Sequence, residues 1–182
     1  MTAQSNYLAG KRTEIHPYKT REGGATVTVF VPYNCLNNCP FCINKAEYEN
    51  PEGFSADKIC ESIRRMDAIT PYCDFVFTGG EPFADLNVLQ QMLDEIPKTH
   101  KVYINTTLPV SKFQTEDDIV RFTEKNKDKI TCINVSRHMQ HYVVESNDGL
   151  LKRLAVPFRI NCVLYKDYPN QDMIPYLERF RL

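Results

Sequence analysis

The sequence has almost no net charge. Its 22 lysine and arginine residues face 23 aspartate and glutamate residues, which leaves −1 at pH 7. A protein that binds nucleic acid or an anionic membrane mainly through charge usually carries a clear excess of basic residues. The balance of charges therefore argues against membrane and nucleic acid as partners of this chain.

Long apolar runs are also missing. No stretch of the 182 residues approaches the apolar segment of about 20 residues that a membrane-spanning helix needs. Residues 1–10 lack the charged and then apolar pattern of a secretory signal peptide. These absences predict a cytoplasmic protein, and the reducing cytoplasm suits a site built from free thiols.

The seven cysteines do not form the patterns of a disulfide framework or a paired zinc site. An odd count without a signal peptide argues against disulfides. Structural zinc usually takes four ligands in short paired spacings. Four of the cysteines are instead scattered and are predicted to be small buried residues: Cys60, Cys73, Cys132 and Cys162.

The other three cysteines lie together in the segment Cys35-Leu36-Asn37-Asn38-Cys39-Pro40-Phe41-Cys42. This C-x3-C-x2-C spacing follows an alternating segment, residues 26–33, which predicts a strand that ends in a loop. Thiolates so close together favour a bound cation. From the spacing alone, three interpretations remain open: a [4Fe-4S] cluster with one iron open to a small molecule, a zinc site, and no metal.

Strands and helices are predicted to alternate along the chain. The predicted strands are residues 26–33, 74–78, 101–105, 130–135 and 158–164. Such alternation is typical of a parallel sheet with right-handed crossovers. In parallel barrels the chemistry gathers at the carboxyl ends of the strands, and each motif of this chain follows a predicted strand.

Polar residues with capping ability predict where three helices begin. Ser55, Asp85 and Thr115 are each followed by apolar residues at helical spacing. The first of these helices is predicted to turn four side chains inward: Ile59, Ile63, Met66 and Ile69. A loop or short helix is expected over residues 139–154, and a last helix near residues 170–180.

The cysteine segment resembles the signature of the radical S-adenosylmethionine (SAM) enzymes, in which an aromatic residue, here Phe41, precedes the last cysteine. Thr78-Gly79-Gly80-Glu81-Pro82 resembles the Gly-Gly-Glu-Pro motif of that family. Asn105-Thr106-Thr107 lies where many members have Thr-Asn-Gly. The resemblance, over about residues 26–165, implies an α/β fold, a partial parallel (βα) barrel with five of the usual six units.

The same resemblance implies the domain organisation. Residues 1–25 are expected to be an N-terminal extension, and residues 26–182 the radical SAM core without its sixth strand. No catalytic residue is assigned.

The resemblance implies two cofactors. Cys35, Cys39 and Cys42 would hold a [4Fe-4S] cluster, and the fourth iron would bind SAM. An electron from the cluster would cleave SAM to methionine and a 5′-deoxyadenosyl radical, which takes hydrogen from an unidentified substrate. An electron donor such as flavodoxin or ferredoxin is the expected partner. A metal-binding module without turnover, and an activating enzyme that acts on a partner protein, are the alternatives.

The resemblance also implies which residues contact SAM. Gly79 and Gly80 would let the backbone approach the methionine amino group, and Glu81 would accept a hydrogen bond from it, unless Glu81 is only an exposed turn residue. Arg137 is the best candidate for the carboxylate. The full set of expected contacts is Phe41, Gly79, Gly80, Glu81, Asn105, Ser136, Arg137 and Asn161.

A pair of histidines, His138 and His141, follows the fourth predicted strand. Two histidines three residues apart in a loop indicate a polar surface more than a second metal site.

Overall fold

The computed structural model describes residues 24–32, 35, 37, 39, 41, 42, 44, 55–70, 72–137, 148–162 and 173–178. The strands in this part of the chain are β1 (Ala25–Val31), β2 (Cys73–Gly79), β3 (Lys101–Thr106), β4 (Ile130–Ser136) and β5 (Phe158–Asn161). The helices are α1 (Ala56–Ile69), a short 3-10 helix (Pro82–Ala84), α2 (Leu86–Asp94), α3 (Glu116–Lys125), α4 (Asp148–Leu151) and α5 (Met173–Glu178).

The five strands form one parallel sheet in the order β1-β2-β3-β4-β5. Each strand therefore pairs with the next one along the chain. This is the order of a barrel, whereas the strand order of a doubly wound sheet reverses. The predicted α/β fold with an open, partial (βα) barrel is confirmed, and the carboxyl ends of all five strands lie at one edge.

One face of the sheet carries the apolar core. Side chains alternate between the two faces of a strand, and those that face the helices are buried. Burying one large apolar side chain stabilises a fold by about 1.5–3 kcal/mol. The central members of this core from strands and helices are Val29, Phe75, Phe77, Ile104, Ile133, Ile63, Leu89, Met92 and Ile119.

The opposite face is largely polar. The alternation places polar side chains in register across three neighbouring strands, with Asn105 beside Asn134 and Asn134 beside Arg159. Asp74 and Thr28 lie on the same face of their strands. The side chains on this second face therefore do not form a second apolar core.

The three predicted helix starts are confirmed by their capping contacts. The Ser55 hydroxyl accepts a hydrogen bond from the Lys58 amide at 3.3 Å, and Asp85 Oδ1 accepts from the Asn87 and Val88 amides at 2.9 and 3.1 Å. Thr115 and Asp118 form a reciprocal capping box before α3. Short polar side chains at these positions replace the missing acceptors of the first helical turn.

Several predicted details are wrong. Ile69 is 73% exposed, because at 100° per residue it lies roughly 90° from the stripe formed by Ile59, Ile63 and Met66. Strand β1 ends at Val31, two residues early, and β5 ends at Asn161. Cys162 therefore follows β5 and is half-buried rather than buried.

The remaining predictions about the fold agree with the structure in part. Cys60, Cys73 and Cys132 are buried, as predicted. The short 3-10 helix after β2 was not predicted. The N-terminal extension, apart from residues 24 and 25, lies outside the described residues. No helix in the described part of the chain is both long and apolar enough to cross a bilayer.

A buried histidine, His100, lies at the amino ends of the strands. His100 Nδ1 accepts a hydrogen bond from the Cys73 amide at 2.8 Å, so its proton lies on Nε2, which donates to Asp67 at 2.8 Å. The ring also meets Phe75 edge to face, with centroids 5.5 Å apart. This arrangement joins α1, β2 and the start of β3 at the edge far from the cysteines, where a role in stability rather than in chemistry is expected.

We expect His100→Ala to lower the free energy of unfolding by about 1–3 kcal/mol, because the buried Cys73 amide would lose its acceptor. Equilibrium urea unfolding measures the change. Lys127→Ala is the control, since it removes only the exposed ion pair with Glu124 and should leave the transition unmoved. An unchanged urea midpoint in His100→Ala would contradict the expectation.

Candidate functional site

The three clustered cysteines begin four residues after β1 ends. Cys35, Cys39 and Cys42 are all free thiols and all half-buried. A turn joins the last two, since the Cys42 amide donates to the Cys39 carbonyl at 3.1 Å. The thiol of Cys35 lies 3.9 Å from the Asn37 carbonyl. The structure therefore places the three thiols on one loop beyond the carboxyl end of β1.

Two asparagines attach this cysteine loop to neighbouring strands. The side-chain amide of Asn37 donates to Thr107 Oγ1 at 3.1 Å, directly after β3. The side-chain amide of Asn44 donates to the Gly79 carbonyl at 3.2 Å, at the end of β2. The cysteine loop thus lies over the carboxyl ends of β2 and β3, beside the other two motifs.

The three thiols are sulfur donors of the kind that hold an iron–sulfur cluster. Within the described ranges, no three Cys, His, Asp or Glu side chains converge as a mononuclear metal site requires. Zinc ligands surround one atom at about 2.3 Å. Each thiolate of an iron–sulfur cluster binds a different iron atom, so these thiols need not converge on one point. A preformed zinc site is therefore absent from the described residues, and the all-sulfur donor set suits iron and sulfide.

Glu81 is a buried hub rather than an exposed turn residue. Its side chain is 5% exposed. Oε1 accepts hydrogen bonds from the Phe83 amide at 3.0 Å and from the Thr106 hydroxyl. Oε2 accepts from the Thr107 amide at 2.8 Å and from its hydroxyl at 2.7 Å. These four bonds join the turn after β2 to the end of β3, and contact with SAM stays a prediction.

Burial raises the pKa of the Glu81 carboxyl, because the ionised form loses its contact with water. The hydrogen bonds from Thr106, Thr107 and Phe83 act in the opposite direction and lower this pKa. The surrounding donors thus make the charge tolerable at a position where an isolated carboxylate would be costly.

Gly79 is required by close packing. Its φ is +104°, a conformation that favours glycine. A Cβ atom here would lie 3.1 Å from the backbone nitrogen of Val31 and 3.2 Å from the Cα of Phe30. The described contacts thus explain this glycine by the approach of β2 to β1. Gly80 is half-buried beside it.

Arg137 forms side-chain hydrogen bonds at the ends of two strands. Its side chain is 1% exposed, and Nη1 donates to the Thr107 carbonyl at 2.9 Å and to the Ser136 carbonyl at 3.2 Å. Nε lies 4.0 Å from Asp148 Oδ1. The guanidinium therefore connects β3, β4 and α4, and its role as a carboxylate ligand stays a prediction.

Asn105 is paired with a residue that the sequence did not single out. Its Oδ1 accepts a hydrogen bond from Asn134 Nδ2 at 2.8 Å. Asn134 is 6% exposed, and its own Oδ1 has no hydrogen-bond partner in the described part of the chain. A polar residue two positions before Ser136, on the same strand face, was the signal available in the sequence.

The other predicted contacts lie near the same edge. Phe41 and Ser136 are half-buried, and Asn161 is exposed. The backbone carbonyl of Asn161 accepts a hydrogen bond from the Arg137 amide at 2.8 Å. His138 and His141 lie outside the described residues.

The sequence did not identify Asn37, Asn44 and Thr107 as connections between the motifs. Thr107 entered only as part of a motif match. A hydroxyl residue directly after a buried strand was the signal available for it.

A cleft of about 720 Å³ opens beside the cysteine loop and Glu81. This volume is within the range of about 300–1,000 Å³ that is usual for ligand pockets. One wall is the segment from Pro109 to Gln114. Gln114 fixes that wall by donating to the Phe83 and Pro109 carbonyls at 2.7 and 3.0 Å, and Phe113 on it is 86% exposed.

Comparison with known proteins gives one family and one fold. The model of a family described as a 4Fe-4S single cluster domain matches residues 22–143. Among solved structures, native anSMEcpe with bound AdoMet and Cp18Cys peptide has a TM-score of 0.62 and 20% identity. A histidine-tagged form of anSMEcpe with bound AdoMet has a TM-score of 0.60 and 19% identity.

Both alignments cover 86% of this chain and 47% of the other, so the chain spans about half the length of these solved structures. At such identity the likeness shows a shared fold. No curated protein matches the sequence.

We expect Glu81→Gln to destabilise the fold. Each carboxylate oxygen accepts one backbone amide, from Phe83 or from Thr107. Either orientation of a glutamine amide would turn its NH2 group toward one of these donors, which costs about 1–3 kcal/mol. Urea unfolding measures the loss, and Glu124→Gln, at an exposed position, is the control.

The penalty of Glu81→Gln should depend on pH. The pKa of Glu81 is raised by burial, so the stability tied to its protonated form is present below the ordinary glutamate pKa and is lost as pH rises through the raised value. Glutamine does not titrate. The difference in unfolding free energy between wild type and variant should therefore shrink with rising pH. A difference that grows with pH would show that the hydrogen bonds outweigh burial.

Proposed function

Because the chain belongs to the family of 4Fe-4S single cluster domains, we propose that it is a radical SAM enzyme or the catalytic core of one. Cys35, Cys39 and Cys42 are the proposed cluster ligands. The observation that carries the proposal is the attachment of the cysteine loop, through Asn37 and Asn44, to the ends of β3 and β2. This attachment puts three free thiols beside the Gly-Gly-Glu-Pro turn.

When bound, the [4Fe-4S] cluster and SAM supply an electron and a radical that abstracts hydrogen from the substrate. The chain contributes the position of the ligands. The hydrogen bonds of Glu81 and Arg137 join the ends of β2, β3 and β4, so contacts within the protein position these strand ends.

SAM is proposed to bind along the carboxyl edge of the sheet. Gly80, Asn105, Ser136 and Asn161 lie at the ends of four of its strands, and Phe41 lies in the cysteine loop. Backbone groups at strand ends and short polar side chains offer hydrogen bonds that suit a ligand with amino, carboxylate and hydroxyl groups. Glu81 is proposed to contribute mainly by holding the turn that precedes α2.

The substrate is proposed to enter through the 720 Å³ cleft, since Asn37 of the cysteine loop and Glu81 are among its lining residues. A small redox protein such as flavodoxin or ferredoxin is the proposed electron donor. The cytoplasm is the proposed location, because a reducing compartment keeps the seven thiols free.

Reductive cleavage of SAM tests the activity. The protein is purified without oxygen, reconstituted with iron and sulfide, and treated with SAM and a strong reductant. About four irons per chain and formation of 5′-deoxyadenosine are expected. Bound zinc without cleavage would support a metal-binding module instead.

Single substitutions test the ligand assignment. Cys35→Ala, Cys39→Ala and Cys42→Ala should each abolish the visible absorbance of the cluster, because each removes one of three thiolate ligands. Cys60→Ala and Cys132→Ala are matched controls, since both thiols are buried and lie on α1 and β4, and their clusters should form normally. A complete cluster in Cys39→Ala protein would overturn the assignment.

A further inference from the structure

The hydroxyl of Thr107 stands between the cysteine loop and the buried hub. It donates to Glu81 Oε2 at 2.7 Å and accepts from the Asn37 side chain at 3.1 Å. A hydroxyl has one donor and two acceptor positions, so both bonds form at once. Asn37 lies between the first two of the three cysteines, Cys35 and Cys39. A restraint on Asn37 is therefore a restraint on both thiols.

The backbone of Thr107 is also held by hydrogen bonds. Its amide donates to Glu81 Oε2 at 2.8 Å, and its carbonyl accepts from the Arg137 guanidinium at 2.9 Å. Glu81 is bound in turn by Phe83 and Thr106. The position of Thr107 is therefore fixed by several hydrogen bonds to the sheet. The hydrogen bond from Asn37 to Thr107 restrains the cysteine loop relative to the sheet.

We infer that Thr107 is a positioning residue for the cluster. Its hydroxyl sets the place of the cysteine loop relative to the strand ends, through Asn37, without touching cluster or substrate. The inference rests on the proposed function, since it assumes that the thiols of this loop hold the cluster.

Thr107→Val removes the hydroxyl and keeps the shape of the side chain. We expect Cys35 and Cys39 to react with iodoacetamide roughly three to ten times faster, as expected when one hydrogen bond that restrains a loop is lost. Mass spectrometry of the full chain reads each cysteine separately. Cys60 and Cys132 should keep their rates, because both thiols are buried. In the reconstituted protein, iron should be lost to a chelator faster by a similar factor.

Two variants separate positioning from general stability. Thr107→Ser retains the hydroxyl and should restore wild-type rates. Thr131→Val is the matched control: the Thr131 hydroxyl accepts from the Val102 amide at 3.1 Å, far from the cysteine loop. It should leave the rates at Cys35 and Cys39 unchanged.

A double-mutant cycle tests the link itself. Asn37→Ala removes the bond between Asn37 and Thr107, whereas Thr107→Val removes that bond and also the bond to Glu81 Oε2. The double variant should therefore expose the loop thiols no more than Thr107→Val alone. Independent, multiplying effects would overturn the inference, as would equal acceleration at all cysteines or no change in Thr107→Val. If Thr107→Val fails to fold, Asn37→Ala and Thr107→Ser decide the same question.

Failure of this inference can be distinguished from failure of the proposed function. If wild-type protein binds about four irons and Thr107→Val has wild-type thiol rates, the inference fails while the cluster assignment stands. If Cys35→Ala keeps its cluster, the assignment fails whatever the Thr107 variants do.

Discussion

Four hydrogen bonds converge on the buried carboxylate of Glu81, and the geometry of the candidate site depends on them. A buried carboxylate needs several donors to offset the loss of water. Here the donors come from the turn after β2 and from the end of β3, so satisfying one charge fixes two strand ends. Thr107 then holds Asn37 of the cysteine loop and accepts from Arg137 after β4. One of the two attachments of the cysteine loop thus depends on this carboxylate, while Asn44 attaches the loop separately to the Gly79 carbonyl.

The amino and carboxyl ends of the parallel strands carry different kinds of contacts. At the amino edge, His100 pairs with Cys73 and Asp67, and these contacts stabilise the fold. At the carboxyl edge, polar groups meet half-buried thiols and a cleft of about 720 Å³. Parallel strands make this division possible, because every strand brings its following loop to the same edge. The chain can therefore gather its candidate binding groups at the carboxyl edge, where the Glu81 contacts also stabilise the fold, while the His100 contacts stabilise the amino edge.

Much of the fold could be predicted from local pattern. Apolar runs located all five strands, and the caps at Ser55, Asp85 and Thr115 located three helices. Some details were predicted wrongly. Ile69 was assigned to the inward stripe from its three-residue spacing to Met66, although its angle around the helix turns it to solvent. Strand β5 was predicted too long, since a strand's end depends on how far its partner β4 continues.

The order of residues is sufficient to specify the chemistry that is available: the spacing of three thiols, the Gly-Gly-Glu-Pro turn and the alternation of strands and helices. These features are local, and local periodicity and turn residues encode them. The burial of Glu81 is a property of the folded chain, because its partners Thr106 and Thr107 lie 25 and 26 residues away. Folding also brings Asn37 to Thr107 across 70 residues. Such pairings form when parallel strands align their ends, and no pattern within one segment specifies them.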